Sequence, residues 1–183
     1  MFNKFELIGA GISVFAMGLA LYLIQVQTTL LRPLETDVAA QVISATDQGV
    51  VVVANDGDRT AARTAAYTAA ADNQGNIYRM VIDDIKFGTG EEVKEGDVVA
   101  VHYVGTLQNG QEFDNSRKRG EPFEFKVGGG MVIEGWDKGL LGMKVGGQRV
   151  LVIPPEMAYG DQGIGPIPGG STLVFSIELM DIK

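Results

Sequence analysis

A chain of 183 residues is long enough for one domain with a proper core plus an appendage, and two full domains would be cramped. A formal net charge of -8, with Arg117-Lys118-Arg119 as the one basic cluster, argues against nucleic acid, because phosphate binding needs grouped Lys and Arg. The lack of cysteine excludes disulfides, thiolate metal sites and cysteine nucleophiles, and a single histidine, His102, excludes an imidazole-rich metal centre.

In chain order, residues 7–31 carry no charge. At about 1.5 Å per residue this stretch can cross a hydrocarbon core of about 30 Å. The apolar run exceeds the roughly 7–15 residues of a signal-peptide core, so residues 7–27 are expected to form an uncleaved transmembrane signal-anchor helix. Lys4 ahead of it and Glu35 and Asp37 behind it place residues 1–6 in the cytoplasm and the body of the protein outside. The expectation is a single-pass protein of a bacterial inner membrane with a periplasmic domain.

Residues 28–78 read as a juxtamembrane spacer. Val50-Val51-Val52-Val53 predicts a strand and Asn55-Asp56-Gly57-Asp58 a turn. Residues 59–71 predict a short alanine-rich helix with Asp58 as its N-cap, too poor in large apolar residues to support a domain alone. From Arg79 onward strands dominate, at residues 80–87, 97–107, 121–127, 147–153 and 171–182, and Asn109-Gly110 marks a tight hairpin. Leu173, Phe175, Ile177 and Leu179 alternate with Thr172, Val174, Ser176 and Glu178, so one face of the last strand must be buried. Glu134 favours a helix start, Gly142 a stop, and the only tryptophan, Trp136, falls on the helix between them. The expected fold class is α+β, an antiparallel twisted sheet wrapped around one short helix.

The remaining signals form ordered blocks. They are Val101-His102-Tyr103-Val104-Gly105, Phe113-Asp114-Asn115-Ser116, Pro122-Phe123-Glu124-Phe125, Val132-Ile133-Glu134-Gly135-Trp136, Met143-Lys144-Val145-Gly146, Ile153-Pro154-Pro155, Ala158-Tyr159-Gly160 and Thr172-Leu173-Val174-Phe175. Through them residues 79–183 resemble the FK506-binding-protein (FKBP) type of peptidyl-prolyl cis-trans isomerase. The resemblance implies catalytic roles for Tyr103, Phe113, Asp114, Tyr159 and Phe175. It implies substrate binding by Phe123, Val132, Ile133, Trp136 and Ile167, with Arg119 supporting the carboxylate and tyrosine network. It further implies proline-containing polypeptide clients, macrolide ligands of the FK506 or rapamycin type, no cofactor and no metal. The alternative is a membrane-tethered proline-binding scaffold with little catalysis. The chain departs from the family pattern in the flap, residues 160–170, where Gly169 stands at a position that is often proline.

His102 points away from Tyr103 by strand alternation and is expected to be structural. Gly128-Gly129-Gly130 is followed by no phosphate-loop pattern, so no nucleotide site is expected.

Overall fold

Strand alternation gives the central sheet two buried faces, and a helix covers each of them. The computed structural model describes residues 49–53 and 59–183. The expected membrane span at residues 7–27 and the N-cap Asp58 lie outside the described residues. Among those described, no helix is long and apolar enough to cross a membrane.

The strands are β1 (Val50–Val52), β2 (Met80–Lys86), β3 (Val98–Leu107), β4 (Glu112–Asn115), β5 (Phe123–Lys126), β6 (Gln148–Ile153) and β7 (Leu173–Ile182). The helices are α1 (Arg59–Ala70), α2 (Ser116–Arg119) and α3 (Glu134–Gly139), with a 3-10 turn at Pro155–Met157. The sheet runs β1-β2-β6-β7-β3-β4, and β5 also pairs with β3. At the predicted hairpin, Gly110 takes a φ of 85° and donates its N–H to the Leu107 carbonyl, which turns β3 into β4.

One face carries Met80, Ile82, Val99, Val101, Tyr103, Leu151, Ile153, Phe175, Ile177 and Leu179, and with α3 it forms the main core. A six-residue helix has no independent stability, so burial must hold α3 in place. Its glycines allow that burial. A Cβ on Gly135 would lie 2.5 Å from Ile153 and one on Gly139 would lie 2.7 Å from Leu151, so a side chain at either position would push the helix off β6. Arg149 of β6 fixes the far end of α3. Its Nη1 donates to the carbonyls of Gly139 and Leu141 at 2.7 and 3.0 Å, while Nε and Nη2 grip Asp84 at 2.7 and 2.9 Å.

The opposite face corrects two expectations. The sheet is mixed, because β1 runs parallel to β2 with Val50, Val51 and Val52 opposite Met80, Val81 and Ile82. The connection explains the direction: a helical crossover returns the chain to the same end of the sheet, and α1 is that crossover. Nor do these residues form a free spacer. Ala62, Ala66 and Ala70 recur every fourth residue on one side of α1 and pack with Val51, Val53, Val81 and Val152 in a second core. Alanine lets the helix lie close to the sheet, so a weak apolar face suffices when the sheet supplies the large residues.

This layer is also held electrostatically. Arg63 Nε donates to Asp83 at 2.6 Å, and the Asp83 side chain is only 8% exposed whereas Arg63 is 37% exposed. Removing the arginine leaves a buried carboxylate unpaired. Arg63→Ala is therefore expected to lower unfolding stability in urea by about 1–3 kcal/mol, the partial exposure of Arg63 keeping the loss at the lower end for buried pairs. An unchanged midpoint would mean that the Arg63–Asp83 pair contributes nothing to the folded unit.

Candidate functional site

Trp136 sits on the first turn of α3, 4% exposed, where four aromatic rings meet it. Tyr103 lies edge-on at 4.9 Å and Phe175 at 5.2 Å, Phe125 is tilted at 5.5 Å, and Phe123 closes the group at 6.1 Å. Such pairs bring positive ring edges against negative ring faces. Phe113 extends the cluster, crossing Phe175 at 5.6 Å. Gly105 makes that crossing possible, since a Cβ there would lie 2.7 Å from Phe113 and 2.9 Å from Phe175. The indole Nε1 is buried without a hydrogen-bond partner among the described residues.

A cavity of about 180 Å³ opens above the indole. Tyr103, Phe113, Asp114, Phe123, Val132, Ile133, Tyr159 and Phe175 line it with Trp136, so the sheet, α3 with the loop before it, and the segment after the Pro155–Met157 turn bring these expected residues together. Ile167 is not among the lining residues. It is 6% exposed, belongs to the main core, and exchanges backbone hydrogen bonds of 2.9 and 3.0 Å with Ile164, so it anchors the flap from below. Met131 was missed by the sequence reading: it lines the cavity and remains 71% exposed.

One polar network stands against this apolar wall. The Tyr103 hydroxyl donates to Asp114 Oδ2, Arg119 Nη1 donates to Asp114 Oδ1, and Arg119 Nη2 donates to the Tyr103 oxygen at 2.8 Å. Partial burial opposes the Asp114 charge, but the bonds from Tyr103, Arg119 and the Asn115 N–H outweigh it and hold the carboxyl below its usual range. Burial, followed by the bond to Asp114, raises the Tyr103 phenol. Burial and then the Asp114 charge raise Tyr159, so all three groups keep their ordinary forms at neutral pH.

The network is set by local structure. Asn115 caps α2 by accepting from Arg117 N–H at 3.0 Å, and Gly120 ends the helix with a φ of 84°, which aims Arg119 back at β3. Ser116, fully buried, accepts the Tyr103 N–H at 2.8 Å and lies 3.1 Å from His102 Nδ1. His102 is thus on the outer side of β3, tied to the backbone of the catalytic candidate.

Asp137 is a further residue that sequence reasoning missed. Its two oxygens accept the N–H groups of Gly128 and Gly130 at 2.9 and 3.0 Å. Both glycines have positive φ, 74° and 64°. The carboxylate therefore pins the loop that delivers Met131, Val132 and Ile133 to the cavity.

A sheet closed on one short helix, with an aromatic pocket between them, defines a domain built to receive an apolar group. The family model for FKBP-type peptidyl-prolyl cis-trans isomerase matches residues 89–180. FK506-binding protein 2 of Aspergillus oryzae is 61% identical over 89 residues, covering 48% of this chain and 66% of its own. FK506-binding protein 2 of Dictyostelium discoideum is 56% identical over 93 residues, covering 50% and 70%. FK506-binding protein 4 of Gibberella zeae is 51% identical over 107 residues, covering 58% of this chain but only 21% of its own, so the chain spans about a fifth of that relative's length. The crystal structure of AtFKBP13 superposes with a TM-score of 0.55 at 40% identity, covering 62% of this chain and 98% of that one. The chain belongs to the FKBP-type peptidyl-prolyl cis-trans isomerase family.

These relatives overturn the expected location. Fungal and Dictyostelium proteins share the domain, so the assignment to a bacterial inner membrane with a periplasmic domain is withdrawn. Its basis was the charge-free run at residues 7–31, which marks hydropathy and not a cellular compartment.

Two outcomes follow from the geometry. Asp137→Ala is expected to lower kcat/KM about tenfold, mainly through KM, because a loosened binding loop misplaces substrate more than it alters the reacting group. Asp137→Asn, which keeps one acceptor oxygen, should recover part of the loss. Because the folded-state pKa of Asp114 is lowered, its contribution to stability is present above the unfolded value of about 3.9 and is lost as pH falls through the lower folded value. Asp114→Asn should accordingly flatten the acid limb of Tm against pH, read by circular dichroism.

Proposed function

We propose that this chain accelerates cis-trans rotation about X-Pro bonds of polypeptide clients by holding the prolyl amide in the pocket above Trp136. One observation carries the reading: an aromatic, half-enclosed cavity meets a single ionised carboxylate that is already paired within the protein.

Rotation must overcome a barrier of about 18–20 kcal/mol set by amide resonance, and no bond needs to be made to the protein. In the planar ground state the carbonyl oxygen carries resonance charge that water stabilises, and twisting reduces that charge. A pocket walled by Tyr103, Phe113, Phe123, Phe175 and Trp136 removes water and with it the preference for planarity. In this reading the proline ring rests on the Trp136 indole between Val132 and Ile133. Asp114, oriented by Tyr103 and Arg119, acts electrostatically on the substrate carbonyl, and the Tyr159 hydroxyl donates to a neighbouring carbonyl. Each roughly 1.4 kcal/mol of such differential stabilisation gives a tenfold rate gain. The relatives are named FK506-binding proteins, which supports macrolide ligands of that type as competitors for the same cavity.

The test is a protease-coupled isomerisation assay of the full chain on an X-Pro peptide, with and without FK506. Acceleration that FK506 suppresses is expected, and Tyr103→Phe with Asp114→Ala should together reduce it about tenfold or more. No acceleration over buffer would leave a proline-binding scaffold in its place.

A further inference from the structure

A second cavity opens beyond the C-terminal end of α3, where the loop after β2 meets the loop before β6. It measures about 290 Å³ and shares no lining residue with the isomerase pocket. Its apolar wall is made by Phe87, 53% exposed, and by Met143, which is buried. Its charged lining is Lys86, Lys144 and Arg149 against the single carboxylate of Asp84. On a chain of net charge -8, this concentration of cations is locally reversed.

The charges are not used up by one another. Arg149 already neutralises Asp84 through two bonds, and the two Nη1 protons go to the Gly139 and Leu141 carbonyls. Of the five N–H groups on the guanidinium, one on Nη2 remains. Lys86 makes no ion pair among the described residues, and Lys144 reaches Glu92 only at 3.9 Å. The backbone oxygens nearest the cavity are each already engaged by one N–H group. Gly88 lies against the carbonyls of Lys144 and Val145, but those oxygens accept N–H groups, from Gly147 at 2.9 Å and Gly90 at 3.1 Å. The size is at the low end of about 300–1,000 Å³ for ligand sites, which suits a small group and excludes a macrocycle.

We propose that this cavity binds an aryl oxyanion. A phosphate or carboxylate head sits between Lys86 and Lys144 over the free Nη2 proton of Arg149, and the attached ring packs on Phe87 and Met143. Charge-assisted bonds to the anionic head hold it, and the apolar wall selects the ring. The head can come from a free small molecule or from a phosphorylated aromatic side chain of another protein, and the chemistry is shared.

The experiment is an amide NMR titration of the full chain with phenyl phosphate, with phenol as the uncharged control and a capped peptide carrying one phosphotyrosine as a second arm. Saturable shifts are expected at Lys86, Gly88, Gly142 and Lys144, with a Kd of about 1 mM or tighter for phenyl phosphate. Phenol should give none, and salt should weaken the complex. The Lys86→Gln, Lys144→Gln double variant, altered only at exposed side chains, should weaken binding about tenfold with the rest of its spectrum unmoved. Binding of both probes assigns a partner's side chain, and binding of the free ester alone assigns a small molecule. No saturable shift by about 10 mM, shifts centred on Trp136, or affinity unchanged in the double variant overturns the proposal.

Discussion

The close approach of α3 to β6 is the contact on which the rest of the domain depends. Six residues cannot form a stable helix in water, so the position of Trp136 is decided by what the helix rests against. Gly135 and Gly139 let its backbone settle onto Ile153 and Leu151, and Arg149 holds its last carbonyls. The indole then becomes the hub of the rings from β3, β5 and β7. Core and pocket share one set of side chains here, and the same packing that stabilises the fold leaves an apolar surface open at its upper edge.

On that surface the one carboxylate and the loop beside it are held by the protein's own hydrogen bonds. Asp114 is held by three donors, the loop of Val132 and Ile133 is tethered through Asp137, and the flap is anchored by the buried Ile167. Little reorganisation is left for the transition state to bear, which is the condition under which electrostatic and desolvation effects are largest. The exposed part of the lining is largely apolar instead, formed by Met131, Phe123 and Tyr159.

Much of this was legible in the sequence because it is encoded locally. The alternation of Leu173, Phe175, Ile177 and Leu179 predicted the buried face of β7, Asn109-Gly110 predicted the hairpin, and the ordered blocks pointed to the family. What was not legible depends on pairing at a distance. Val50 to Val53 is apolar at every position, so it shows no face, and nothing in it reveals a parallel partner 30 residues on. Asp137 reads as an ordinary acidic residue in the first turn of a helix, since its partners are backbone N–H groups that carry no residue signature. Ile167, expected at the pocket by family position, is buried in the same core as Tyr103, Trp136 and Phe175, in a turn bonded to Ile164. The charge-free run at residues 7–31 was carried on to a bacterial periplasmic location, which hydropathy alone cannot name.

The layer built by β1 and α1 changes where this domain begins. The family match starts at residue 89, yet the cooperative unit reaches back at least to Val50, through a strand, a crossover helix and an ion pair. A chain trimmed to the family limits would lose β1, α1 and β2 together, bare Val152, leave the buried Arg149 without its Asp84 partner, and make β6 an open edge able to recruit other strands. Homology therefore marks the part of this protein that is shared, and packing marks the larger part that must be inherited as a piece.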